Sequence, residues 1–147
     1  MHWDAMSETD ESFFAFLAGL VRVRKEYPLL RQGRFLHGER VMRDGVRNVL
    51  WLRPDGRNMT KVDWRNGHSR ALGVMLTQSG IPPLMMMLNA HHDDLPFQLA
   101  APHAVSGWRL IVASAKGLVE PEEPLLSPGT TTTLPGRGVM LYEGQRR

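Results

Sequence analysis

The 147 residues include no cysteine, which excludes a disulfide framework, a thiolate zinc site and a cysteine nucleophile. Long hydrophobic runs are missing as well. No apolar stretch approaches the roughly 20 residues needed to span a bilayer, so no membrane partner is expected. The opening residues carry Asp4, Glu8, Asp10 and Glu11 where a secretory leader would be basic, and a soluble, cytoplasmic protein is expected. An excess of one charge is also lacking: 18 Lys and Arg stand against 15 Asp and Glu, a formal charge of +3. They are scattered rather than grouped, as on a solvated surface, so no nucleic-acid partner is expected. Length sets a further limit, because a chain this short buries roughly two-thirds of its unfolded surface as one compact domain. It falls far below the roughly 250 residues of a TIM barrel.

What is present begins with one helix, expected over residues 8–26. Ser7, Glu8, Thr9 and Asp10 have capping-box spacing, acids occupy the first turn, and Arg22, Arg24 and Lys25 occupy the last, as the helix dipole favours. Pro28 ends it. Phe13, Phe16, Leu17, Leu20 and Val21 recur at helical spacing, and Phe14, Ala18 and Val23 widen the stripe, so this face must bury against something broad. After Pro28 the pattern becomes short apolar runs between turn residues, the mark of an antiparallel β-sandwich of about eight strands. Strands are expected at 34–37, 46–52, 71–77, 84–90, 96–100, 108–113, 130–134 and 139–143. Turns are expected at Arg43-Asp44-Gly45, Pro54-Asp55-Gly56, Asn66-Gly67, Ser79-Gly80, His92-Asp93-Asp94 and Pro135-Gly136. Residues 60–64 suit a single helical turn with Thr60 as N-cap and Asp63 at the third position. Residues 120–129 hold three Pro and three Glu and read as a solvated loop.

Few residue types here carry chemistry. Ser69, Ser79, Ser106 and Ser114 lie in no nucleophile elbow, and the glycines of residues 33–38 lack phosphate-loop spacing. Glycoside cleavage needs two facing carboxylates, one with a raised pKa, yet the acids fall in turns, in the first helical turn or in the proline-rich loop. Asp63, between Val62 and Trp64, is better placed to cap its own turn. No catalytic residue is therefore assigned. His91, His92, Asp93 and Asp94 are the only cluster with metal-ligand residue types. Adjacent strand residues point to opposite faces, so a hairpin turn explains them better than a shared ion unless the backbone bends. No metal and no cofactor is expected. Met85, Met86 and Met87 lie in a continuous apolar run and suit a strand buried on both faces. Trp3, Trp51, Trp64 and Trp108 fit core and edge packing better than sugar stacking. Trp51 and Trp64 remain the weak candidates for binding carbohydrate.

A family resemblance adds to this reading. Residues 50–64, with Pro54-Asp55-Gly56 leading into Met59-Thr60 and Asp63-Trp64, resemble the motif that opens the C-terminal β domain of bacterial glycogen debranching enzymes of the isoamylase type, in the α-amylase superfamily. Phe13 to Pro28 is similar to the helix that closes the catalytic barrel of these enzymes. Further similarity follows in order at residues 30–35, Leu72-Gly73, Leu88-Asn89-Ala90-His91-His92, Phe97, Leu99 and Trp108. The chain departs from the pattern at Asn58, where the family usually has Glu, at Ala113 in place of Asp, and at Gly138, where Ser follows Arg137.

The resemblance implies residues 1–28 as the terminal helix of a catalytic barrel and residues 29–147 as the sandwich. It implies that a parent enzyme hydrolyses α-1,6 branches of glycogen with carboxylates on a barrel that would precede Met1. This chain would then be an accessory domain lacking catalytic residues and inactive alone. Its implied partner is that barrel, with α-glucan as a further ligand; without the barrel, the apolar stripe of the helix is expected to bury against the sandwich or a second copy. The alternatives are a stand-alone α-glucan-binding module and an independent enzyme built on residues 91–94.

Overall fold

The computed structural model describes residues 8–33, 35, 36, 38, 40, 41, 46–118 and 124–147. The chain divides into two compact units, Met1–Arg34 and Phe35–Arg147. The first holds α1 (Glu8–Glu26) and a 3-10 turn at Pro28–Arg31. Ser12 Oγ donates to the Thr9 carbonyl at 2.8 Å in the opening turn. At the far end, Tyr27 N–H still reaches the Val23 carbonyl at 3.0 Å, and Pro28, which has no N–H to continue the ladder, starts the 3-10 turn. Val23 and Leu29 are buried, whereas Phe13, Phe14, Leu17 and Val21 are exposed. The expected cap at Ser7 lies outside the described residues.

The second unit is antiparallel β. A small two-stranded ribbon pairs β1 (Arg40–Val41) with β2 (Val46–Arg47). The main body is eight strands in two sheets. Six form one sheet: β3 (Val49–Leu52), β4 (Ala71–Gln78), β5 (Ile81–Asn89), β7 (Val105–Ala113), β8 (Gly117–Leu118) and β10 (Val139–Arg146), in the order β3-β4-β5-β10-β7-β8. The other two, β6 (Leu95–Gln98) and β9 (Thr131–Leu134), make a two-stranded sheet. The sandwich expected from the alternating pattern is thus present. The strand expected at 34–37 is not observed, since Phe35 and Leu36 lie in no strand and residues 34 and 37 lie outside the described residues. The turn expected at residues 43–45 and part of the loop at 120–129 also lie outside them.

One cluster joins the two sheets: Leu52, Met75, Met85, Met87, Trp108 and Tyr142 from the large sheet with Phe97, Leu99 and Leu134 from the other side. Each such side chain contributes about 1.5–3 kcal/mol when fully buried. Period-2 geometry explains the methionines: Met85 and Met87 face the core and are fully buried, while Met86 on the opposite face is only half-buried. The strand is therefore covered fully on one side and partly on the other. Trp108 is fully buried, and its Nε1–H donates to the Ala100 carbonyl at 2.8 Å, which removes it from any surface role. Among the described residues, no helix is long and apolar enough to cross a membrane.

Two turns at one end are latched by Asn89, a buried polar residue. Its Nδ2 donates to the carbonyls of Asp93, Leu134 and Pro135 at 2.9, 3.3 and 3.1 Å. Its Oδ1 accepts from His91 N–H at 2.8 Å. Asp94 adds a carboxylate accepting from Gly136 N–H at 2.9 Å. The departure at Gly138 has a local cause. A Cβ there would sit 2.8 Å from the Pro135 carbonyl oxygen, so this form of the turn requires glycine.

Candidate functional site

The stretch from Trp51 to Asn66 leaves the sheet after β3, makes a tight loop and returns through a short helix, α2 (Lys61–Arg65). Pro54-Asp55-Gly56 makes the loop as expected. Arg53 N–H donates to the Arg57 carbonyl at 2.8 Å, and Gly56 N–H donates to the Arg53 carbonyl at 3.0 Å. Gly56 has φ +74° and lies so close to Gln98 that an added Cβ would be 3.1 Å from its carbonyl oxygen. Both features favour glycine. Gln98 N–H in turn donates to the Pro54 carbonyl at 2.7 Å, which straps the loop to β6. Met59 N–H donates to the Trp51 carbonyl at 2.8 Å, so the chain comes back alongside the strand it left.

The helical turn read from Thr60 and Asp63 forms with both halves of a capping box. Thr60 N–H and Thr60 Oγ1 donate to Asp63 Oδ2 at 2.8 and 2.7 Å, and Asp63 N–H donates to Thr60 Oγ1 at 3.3 Å. Arg53 stands between two acids, 2.7 Å from Asp55 Oδ2 and 3.7 Å from Asp63 Oδ1. The Thr60 hydroxyl, then the Thr60 N–H, and more weakly the Arg53 charge hold the Asp63 carboxyl below the ordinary carboxylate value. A proton donor for glycoside cleavage needs the opposite shift. Asp63 is built as a fixed anion that organises the turn.

The product of this architecture is an aromatic corner. Trp51 on β3 and Trp64 on α2 meet with ring centroids 5.6 Å apart and planes at 80°, the edge-to-face arrangement aromatic pairs favour. They are 42% and 54% exposed, beside Val62 at 75%. Met59 and Trp64 line two depressions. One, of about 300 Å³, is bordered by Arg47, Trp51 and Asn58, and the other, of about 320 Å³, by Asp63, Asn66 and Arg70. The departure at Asn58 therefore falls on the rim of the site. Trp3 lies outside the described residues.

The sequence did not reveal that Trp51 and Trp64 touch. The capping box was the available signal, because it fixes the helical turn that swings residue 64 back over residue 51. The cluster at 91–94 behaves differently from the strand geometry used to read it. β5 ends at Asn89, residues 91–93 form a bend, and the two imidazole rings stack, with centroids 4.2 Å apart and planes at 26°. The expected turn is there, and within it both rings lie on one side.

Residues 48–146 match the family model described as Isoamylase, C-terminal. The chain is 30% identical over 116 residues to a glycogen operon protein GlgX homolog of Mycobacterium tuberculosis, covering 70% of this chain and 16% of that protein. It is 33% identical over 99 residues to a glycogen debranching enzyme of Dickeya chrysanthemi, covering 67% and 13% respectively. A glycogen debranching enzyme of Serratia proteamaculans is 26% identical over 113 residues, covering 75% of this chain and 16% of its own length. The chain thus spans about one sixth of the length of these curated relatives.

Proposed function

From the premise that this chain belongs to the isoamylase C-terminal domain family, we propose that it is the accessory β domain of a glycogen-debranching glycosidase, supporting a catalytic barrel and leaving bond cleavage to it. The observation that carries this reading is the aromatic corner. The motif residues spend a capping box, an ion-paired arginine and a strapped loop on holding Trp51, Val62 and Trp64 outward. A solvated domain gains nothing from such a face, whereas a domain seated against a larger body buries it. Under the same reading α1 is the closing helix of that barrel, and its exposed phenylalanines meet the barrel or a second copy. The setting is cytoplasmic.

Incubating the pure chain with a glycogen limit dextrin tests the division of labour. No branch chains are released, and measurable turnover would overturn the proposal. A second arm fuses the chain to the catalytic portion of a debranching enzyme. There Val62→Asp, at a side chain 75% exposed, lowers the melting temperature of the fusion by several degrees, while the same change in the chain alone leaves its midpoint within about a degree.

A second reading is favoured by the right-angled ring pair beside the polar rim of Arg47 and Asn58, an arrangement on which a sugar ring could stack. In that case the chain is an α-glucan-binding module. Titration with maltoheptaose separates the two. Seating on a barrel predicts no saturable change in tryptophan emission, whereas glucan binding predicts a saturable change that Trp64→Ala abolishes.

A further inference from the structure

We propose that the turn joining β5 to β6 binds one borderline divalent cation, of the Zn²⁺ or Cu²⁺ class, through His91, His92 and the Asp93 carboxylate. Two imidazole nitrogens converge on one oxygen: Asp93 Oδ2 lies 3.5 Å from His91 Nδ1 and 3.2 Å from His92 Nε2. The three ligand atoms all fall within 4.8 Å of one another. A tetrahedral ion with bonds of about 2.0–2.2 Å holds its ligands about 3.3–3.5 Å apart. Two of the three separations are therefore already close to what the ion requires, and loading turns the stacked imidazole rings, whose planes lie at 26°, so that both in-plane lone pairs point at the ion.

The backbone of the turn is held by groups that take no part in ligation. Asn89 ties His91 N–H and the Asp93 carbonyl, and Asp94 ties Gly136 N–H, so the turn does not have to be ordered when an ion arrives. Asp93 N–H donates to His91 Nδ1 at 3.1 Å, which requires a lone pair on that nitrogen. Loading exchanges this hydrogen bond for a bond to the cation.

The donor set fixes the class. Two imidazoles and a carboxylate suit zinc and copper, whereas magnesium and calcium demand oxygen ligands. His92 and Asp93 are largely solvent-exposed, at 68% and 66% of their side-chain surface, so water completes the coordination and the ion exchanges readily.

The test is calorimetric titration of the untagged full chain with Zn²⁺ alone, repeated with Cu²⁺ and read by electron paramagnetic resonance. The expected result is saturable one-to-one binding, weakened about tenfold or more by His92→Ala and by Asp93→Asn, with nitrogen hyperfine structure in the copper spectrum. Circular dichroism checks that these exposed substitutions leave the fold intact. A variant lacking His2, His37, His68 and His103 binds as the parent does. The proposal is overturned by absence of saturable binding, by binding that survives His92→Ala, or by binding that disappears with the four other histidines. None of these readouts involves glucan or a catalytic barrel, so the result stands apart from the functional reading above.

Discussion

The loop and helix at residues 51–66 and the paired turns at 89–94 and 134–138 each have one polar side chain at the centre of their fastenings, Asp63 in the first and Asn89 in the second. Asn89 is 3% exposed and satisfies three carbonyls and one N–H. Asp63 makes bonds of similar length at the surface. Water can replace the partners of Asp63 but not all those of Asn89. Similar hydrogen-bond geometry should therefore contribute unequally to stability, because a polar group stranded without water loses its full solvation.

Three measurements sharpen or break that contrast. Asn89→Leu leaves buried carbonyls without a donor, and urea unfolding should show a loss of about 3 kcal/mol. A loss under 1 kcal/mol would mean that water reaches the latch and that the two clamps are equivalent. Thr60→Ala removes half of the capping box and should lower stability by about 1 kcal/mol. A change as large as that of Asn89→Leu would place the exposed clamp on a par with the buried one.

The third measurement concerns acid. The folded-state pKa of Asp63 is depressed from its ordinary 3.8, so its stabilising contribution is present above that value and is lost as pH falls through the lower folded value. Stability curves of the parent and Asp63→Asn should lie apart at neutral pH and converge on the acid side. Curves that stay parallel to the most acid point would show that the carboxylate charge does nothing for the turn.

Much of the sandwich was legible because alternation survives in strands with one buried face. β4, β9 and β10 fall where the pattern placed them, apart from their ends. β5 starts at Ile81, three residues earlier than expected, because Pro82 and Pro83 are compatible with an extended chain even though they cannot donate to a ladder. The two-residue strands at Arg40–Val41 and Gly117–Leu118 are too short for any periodicity to mark. Strand order lies beyond local reading, since β10 pairs with β5 about fifty residues earlier.

At the candidate site the capping box was readable, as its partners are three residues apart. The contact between Trp51 and Trp64 was not, as it depends on the loop folding back. The convergence of His91 and His92 was missed for a different reason. The strand ends at Asn89, so its alternation does not govern His91 and His92, two and three residues further on.

The position of β10 in the large sheet bears on how the chain is made. It lies between β5 and β7 and pairs with both, yet it is the last strand in sequence. Until residue 139 leaves the ribosome, β5 and β7 each present a free edge, with the methionine run of β5 on one of them. The sheet is consequently completed only once β10 has been made, and chains cut short of it are the species most prone to stick to one another.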